Sequence, residues 1–344
     1  MEEPDSQDPT QEDVPTENIF IAPSIHEADI LAGVSYSHHS PIPQLINEDL
    51  ASIECVLGVD EAGRGPVLGP MVYGLLYLPL TQHTTLLAQT HHFDDSKVLK
   101  PQVRSNLMQA ICTPGTDLFQ NCGWATRVMS ARDIAAGMLK PAGVYNLNAQ
   151  AMDATIQLIK DVFAQGVNVK EIYIDTIGKA DVYQKKLERI FPTTMITVAE
   201  KADSLYPCVS AASVCAKVTR DAALEVSHQT YSSSDTPADE AKAGGADAWG
   251  TGYPSSAKTV NWLKEHMDPL FGWGNECRMS WGTAKDMLEA KGNGIKVEWP
   301  DVNDDEQARR MTDFYITTSA MEVDDEPDDE LATWYGKPVP ASTL

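Results

Sequence analysis

The chain has 344 residues, 42% of them apolar, and a formal net charge of −24. This length and composition fit one large globular domain or two small ones, and no apolar run approaches the length of a membrane span. The charge argues against a nucleic-acid partner only until it is located. Residues 1–50 carry eleven acids and no Lys or Arg, residues 298–344 carry thirteen acids against three bases, and the stretch between is nearly neutral at −3. Acidic ends repel a polyanion and limit non-specific binding, while the middle stays free to form a local basic groove.

Residues 1–50 are rich in Pro, Asp and Glu with weak periodicity, which predicts a disordered acidic tail. The opening MEEPDSQDPTQED lacks the apolar core of a secretory signal. Apolar runs then predict strands at 55–60, 67–78 and 124–130. Between the last two, residues 81–95 read as a surface loop carrying His83, His91 and His92, with no spacing that supports a metal site. Residues 145–164 have helical periodicity, with Leu147, Met152, Ile156, Ile159 and Phe163 available to one face. A strand at 171–175, a helix at 182–190 and a strand at 195–198 follow. Residues 209–226 predict a helix whose Ala211, Ala212, Ser213 and Ala216 suit close packing. Residues 231–248 are low-complexity and read as an insertion, and short helices are expected at 258–266 and 283–291. This order predicts an α/β protein with a mixed sheet. Its expected divisions are the tail to 50, the principal α/β domain over 51–230, the insertion, a helical part over 249–300 and an acidic tail over 301–344. The six cysteines (Cys55, Cys112, Cys122, Cys208, Cys215 and Cys277) show no CxxC pair or zinc spacing, as expected of reduced thiols in a reducing compartment.

The most informative stretch is GVDEAGRGP over residues 58–66. An apolar run ends in adjacent carboxylates, Asp60 and Glu61, followed by Gly63-Arg64-Gly65. Neighbouring side chains in a strand point to opposite faces, so the two acids share a site only if the chain turns there. Gly63 and Gly65 permit a turn and leave backbone N–H groups open to a ligand. Asp175 ends the strand at 171–175, where functional groups gather in such sheets; alone it reads as a turn or cap aspartate. Asp203 precedes the small-residue helix and alone reads as an N-cap. Four carboxylates suit hard divalent cations, which prefer oxygen ligands.

DEAGRGP resembles the signature of type 2 ribonuclease H. The longer run CVLGVDEAGRGPVLGPMVY over 55–73 resembles the catalytic chain, termed A, of the eukaryotic enzymes. The likeness continues through DSK (95–97), YNLN (145–148), YIDTIG (173–178), KADSLYP (201–207), VSAASVCAKVTRD (209–221) and GTGYP (250–254), covering roughly residues 53 to 300. The resemblance implies the ribonuclease H-like fold, a five-stranded sheet flanked by helices with a small helical C-terminal part. It implies that Asp60, Glu61, Asp175 and Asp203 are catalytic and bind two Mg2+ or Mn2+ ions. Asp60 and Asp175 are expected to bridge or flank the ions, with Glu61 and Asp203 each completing one. Gly63, Arg64 and Gly65 would read the ribose 2′-hydroxyl through main-chain atoms, and Tyr253 would sit against the next sugar. Lys97, Asn146 and Arg220 are implied phosphate contacts. Read alone, Lys97 and Arg220 are solvated charges.

The implied activity is endonucleolytic hydrolysis of RNA in RNA/DNA hybrids, and incision 5′ of single ribonucleotides in duplex DNA, leaving a 3′-hydroxyl and a 5′-phosphate. The implied roles are ribonucleotide excision repair and primer removal in a nuclear heterotrimer with two non-catalytic subunits, termed B and C. At 311–315, Met311 followed by Phe314 and Tyr315 resembles the plug of sliding-clamp-binding peptides, although Gln307 stands one position too early. A short helix packing on the body or a partner fits the same residues, and aromatic pairs mostly bury locally.

Overall fold

A computed structural model of the chain describes residues 20–93, 99–140, 145–234, 249–290 and 292–294, the side chains of 230–234 excepted. The strands are β1 (Tyr36–His39), β2 (Cys55–Ala62), β3 (Met71–Pro79), β4 (Gly123–Met129), β5 (Val169–Asp175) and β6 (Met195–Ala199). The helices are α1 (Glu27–Leu31), α2 (Gln44–Glu48), α3 (Pro101–Cys112), α4 (Asp117–Asn121), α5 (Ala131–Met138), α6 (Leu147–Ala164), α7 (Ala180–Ile190), α8 (Ala202–Leu205), α9 (Pro207–Ser234), α10 (Ala257–Glu265) and α11 (Gly282–Glu289). The strands form one mixed sheet in the order β1-β4-β3-β2-β5-β6. β2, β3 and β4 pair antiparallel, whereas β5 and β6 run parallel to β2.

The sheet has six strands rather than the expected five, and the extra one comes from the region read as a tail. β1 pairs antiparallel with β4 at the sheet edge. Tyr36 is buried there, its hydroxyl donates to the Ser24 carbonyl at 2.9 Å, and the His26 ring stacks on it at 4.4 Å. A four-residue edge strand carries too few alternating residues to stand out in a Pro- and Asp-rich sequence. The acidic stretches 1–19 and 301–344, residues 235–248 of the insertion, and the 311–315 segment lie outside the described residues.

Helices cover both faces of the sheet, which is why β2 and β3 are apolar at nearly every position. Leu57, Val59, Met71, Tyr73 and Leu75 face α6 and α7, whereas Val56, Leu76 and Leu78 face α9 and α3. α9 lies unusually close to the sheet. A Cβ on Gly58 would stand 2.3 Å from the Cys208 carbonyl carbon, and one on Gly74 would stand 2.2 Å from the Ala212 oxygen. The small residues of α9 and these two glycines are therefore two halves of one packing solution. The segment expected as a loop instead forms a 3-10 turn at Leu80–Gln82 and a π-helix at His83–Thr90, and it caps α9: the Cys208 N–H donates to His83 Nε2 at 3.2 Å. His91 pairs instead with Asp117 at 2.9 Å, and His92 is exposed, so the three histidines serve separate places. A smaller core of Trp249, Trp262, Leu263 and Trp273 gathers α10 and α11 around Val67 and Leu68.

Candidate active site

Parallel pairing of β2 with β5 places Val59 beside Ile174, so the next residues, Asp60 and Asp175, adjoin at the strand ends. Both lie on the α9 side, because Val59 and Ile174 face the opposite core. Asp203 arrives from β6. Lys201 adopts a left-handed conformation, φ +54°, which turns the chain so that the Ala202 N–H donates to Asp175 Oδ1 at 2.9 Å. Asp203 follows in the first turn of α8. The sequence-derived acids thus come together from three strand ends.

Glu61 is the exception. The chain does not turn between the two acids: pairing with β3 continues through Glu61↔Tyr73 to Ala62↔Val72, and the turn begins at Gly63. Glu61 therefore leaves the opposite face of β2 from Asp60 and stands over Tyr73. This splay is one reason why, among the described residues, no three His, Cys, Asp or Glu side chains form a ready-made metal cage.

Electrostatics ties the acids together all the same. Asp60 is buried, and desolvation followed by the Asp175 charge pushes its carboxyl up to about 7; the Ser213 hydroxyl and the Glu61 N–H, which donates to Asp60 Oδ1 at 2.8 Å, oppose the rise. Glu61 is raised well above the usual carboxylate range by desolvation and by Asp60, with Arg64 acting against the rise. Ionising these groups costs free energy that a divalent cation would return. The oxygen-only donor set matches Mg2+ or Mn2+ rather than a soft metal. The residues present fit such an ion.

Beside the acids, the turn is built to expose main chain. Gly63 has φ +77°, and a Cβ there would stand 2.8 Å from the Pro70 oxygen and 2.9 Å from Arg220 Nε. A Cβ on Gly65 would stand 3.1 Å from the Tyr253 ring. The ring of Tyr253 thus lies against the Gly65 backbone, so the two sequence-derived readers form one surface. The Gly252 carbonyl holds this arrangement by accepting from the Val67 and Leu68 N–H groups at 2.9 and 3.2 Å.

Two expected phosphate contacts have other partners. Arg220 is buried; it donates to the Thr251 carbonyl and pairs with Asp221, both at 3.4 Å, and so braces the 63–69 turn against the 250–254 loop. Asn146 caps α6, its Oδ1 accepting from the Ala149 N–H at 3.0 Å. Lys97 lies outside the described residues. The asparagine that meets Arg64 is Asn148, whose Oδ1 accepts from Arg64 Nη2.

Sequence reasoning missed the residues that hold the turn. Arg278 is fully buried and donates to the carbonyls of Gly63 (2.6 Å), Arg64 (2.8 Å) and Gly69 (3.1 Å). Its guanidinium lies over the Trp281 ring at 4.8 Å, and Trp281 Nε1 donates to the Gly65 carbonyl at 2.9 Å. Every carbonyl from Gly63 to Gly65 is thereby engaged from behind. The only signal in sequence was an arginine lodged between apolar Cys277 and Met279.

Comparisons with known proteins bear on this cleft. Residues 57–284 match the family model described as Ribonuclease HII. The chain is 56% identical over 322 residues to the A subunit of Ribonuclease H2 from Neurospora crassa, covering 93% of this chain and 95% of that one. It is 40% identical over 282 residues to the human A subunit of Ribonuclease H2, with coverages of 82% and 87%. The crystal structure of the ribonuclease H2 from Pyrococcus horikoshii aligns with a TM-score of 0.53 at 25% identity, covering 68% of this chain and 97% of that one.

Proposed function

The chain belongs to the ribonuclease HII family, and from that premise we propose that it is the catalytic chain of a nuclear, heterotrimeric type 2 ribonuclease H. It is an endoribonuclease. On our reading it hydrolyses RNA in RNA/DNA hybrids and incises duplex DNA on the 5′ side of single ribonucleotides, leaving a 3′-hydroxyl and a 5′-phosphate. The observation that carries this reading is the junction of two devices. Carboxylates converge at the ends of β2, β5 and β6, and the Gly63–Gly65 turn with Tyr253 on its flank adjoins them.

The acids divide the work. Asp60, Asp175 and Asp203 would hold divalent metal from the α9 side, with Glu61 reaching in from the other face of β2. When bound there, two Mg2+ or Mn2+ ions would supply activation of a water and stabilisation of the leaving oxygen. The chain's own groups do the rest. Buried Asp60 cannot reorient freely, because one oxygen accepts from the Glu61 N–H. Asp175 is tied to the turn that carries Asp203. The turn recognises ribose: a rigid backbone that hydrogen-bonds a 2′-hydroxyl leaves its own groups unpaired on a deoxy sugar, which is a strong basis for discrimination. Tyr253, half-buried against Gly65, presents a ring face to the following sugar, where a second 2′-hydroxyl would crowd it. That the relatives are themselves A subunits supports an assembly with other chains. A clamp contact through Met311–Tyr315 stays a proposal of the sequence alone.

The test uses the full chain recovered with its partners, a duplex carrying one ribonucleotide, and Mg2+. One cut 5′ to the ribonucleotide is expected, absent from all-DNA duplex and from Asp60→Asn. Normal cleavage by Asp60→Asn would refute the metal assignment, and cleavage of all-DNA duplex would refute the reading of the turn.

A further inference from the structure

Behind Glu61, on the face of the sheet away from Asp60, lies a set of buried polar atoms with no use in the chemistry above. Tyr73 stands directly opposite Glu61 in the β2–β3 register and is 1% exposed. Tyr183 of α7 and Thr155 of α6 are buried in the same region of the core, 3% and 0% exposed. The Tyr73 hydroxyl and Arg64 Nη1 are shielded from solvent without a hydrogen-bond partner in the structure, and the shielded hydroxyls of Tyr183 and Thr155 have only each other. Burial lifts the tyrosines' pKa values, Glu61 and Arg64 are among the charges felt by both rings, and the Thr155 hydroxyl acts on Tyr183 as a hydrogen-bond partner. Leaving a buried hydroxyl unpaired costs about 1–3 kcal/mol. A phenylalanine at 73 and 183 and a valine at 155 would avoid that cost at equal volume. Two such hydroxyls within the field of one carboxylate and one guanidinium, with a third paired to one of them, therefore point to a task.

Resting on the reading of Glu61 and Arg64 given above, we propose that Tyr73, Thr155 and Tyr183 are positioning residues. Their hydroxyls, directly or through ordered water, hydrogen-bond the Glu61 carboxylate and the Arg64 guanidinium and fix both for the reaction. The need follows from the fold. Glu61 leaves β2 on the wrong face for the other acids, so its carboxylate must be held at the strand's edge to act with them. Arg64 carries the turn that meets the ribose and is otherwise tethered through Asn148. One network behind the sheet thereby couples the metal side of the cleft to the sugar-reading side. Partners of metal-binding carboxylates commonly change metal affinity or activity about 10- to 100-fold when removed.

The experiment uses the full chain with its co-purifying partners and three variants that each delete one hydroxyl at constant shape: Tyr73→Phe, Tyr183→Phe and Thr155→Val. Each is expected to lower kcat about tenfold with KM changed less than about twofold, and to weaken Mn2+ binding measured by calorimetry to a similar extent. Thr155→Ser, which keeps the hydroxyl, should restore both. Unchanged kcat and Mn2+ affinity, with a melting temperature equal to or above that of the parent, would overturn the proposal, since that is how removal of an idle buried hydroxyl behaves. So would a Thr155→Ser variant as impaired as Thr155→Val. A failure of the broader functional reading is separately visible, because the unmodified protein would then not cut at the ribonucleotide.

Discussion

The carboxylate cluster and the glycine turn adjoin in sequence, with Glu61 two residues from Gly63, yet they are built on opposite terms. The cluster is assembled from strand ends and is electrostatically loaded: like charges crowd a buried site, and the carboxyls of Asp60 and Glu61 are held above their ordinary range. The turn bears a load of the opposite sign, the buried Arg278 cation, its pKa pushed down to about 9 by desolvation and by the Arg220 charge, but here backbone carbonyls fix it in place. It is locked from behind by Arg278 and Trp281, more than 200 residues downstream, and from the side by Tyr253 and Arg220. On the proposed reading, chemistry resides where the fold tolerates repulsion, and recognition where it forbids movement. Substitutions in the first region should therefore change turnover with little loss of stability, and those in the second should lose stability and recognition together.

The largest expected effect is that of Asp60→Asn. If Asp60 holds metal as proposed, its removal forfeits several kcal/mol of transition-state stabilisation, and about 1.4 kcal/mol is tenfold in rate, so cleavage should fall roughly a thousandfold or more. The metal-free variant should melt at or above the parent temperature at pH 7, because a buried repelling charge is gone. A large drop in melting temperature would show that the cluster is structural as well as chemical.

Arg278→Gln comes next. It removes a buried cation from three backbone carbonyls. Hydrogen bonds to charged groups contribute about 1.5–3 kcal/mol each, so a destabilisation of at least about 3 kcal/mol is expected by denaturant unfolding, with cleavage lost in parallel. Preserved stability with lost cleavage would erase the contrast between the regions.

Tyr253→Ala should act more gently. The ring rests on Gly65 but is half exposed, so a loss of about 1.4 kcal/mol or more in transition-state binding, roughly tenfold in kcat/KM, should appear on single-ribonucleotide duplexes. The melting temperature should move by only a few degrees. A drop in melting temperature as large as that of Arg278→Gln would place Tyr253 among the locks rather than the readers.

The last expectation is a dependence on pH. The folded-state carboxyl of Asp60 lies near 7, against 3.8 for the free side chain. Because the folded state holds the extra proton, this group's contribution to stability is fully present below pH 3.8 and declines as pH rises through about 7. Metal-free melting temperatures between pH 5 and 8 should trace that decline. Added Mg2+ should stabilise more at pH 8 than at pH 5, and Asp60→Asn should flatten both trends. A Mg2+ effect independent of pH would break the link between repulsion and metal binding.

Features that depend on neighbours in the chain were legible from the residues alone. Apolar runs ending in Asp60 and Asp175 predict strand ends, Ala-rich 209–226 predicts a close-packed helix, and Gly63 and Gly65 predict a turn. Each is legible because backbone periodicity and glycine's lack of a Cβ are local properties. Three-dimensional packing settled what no local pattern encodes. It continued β2 past Glu61, because pairing with β3 outweighs the freedom of the following glycines. It gave Asn146 a capping task and drew Arg220 inward as a brace. It recruited residues 36–39 from an acidic stretch as a sixth strand, because β4 offered an unpaired edge. It also put Arg278 behind a turn that begins 215 residues earlier, where backbone carbonyls drawn out of water required a donor.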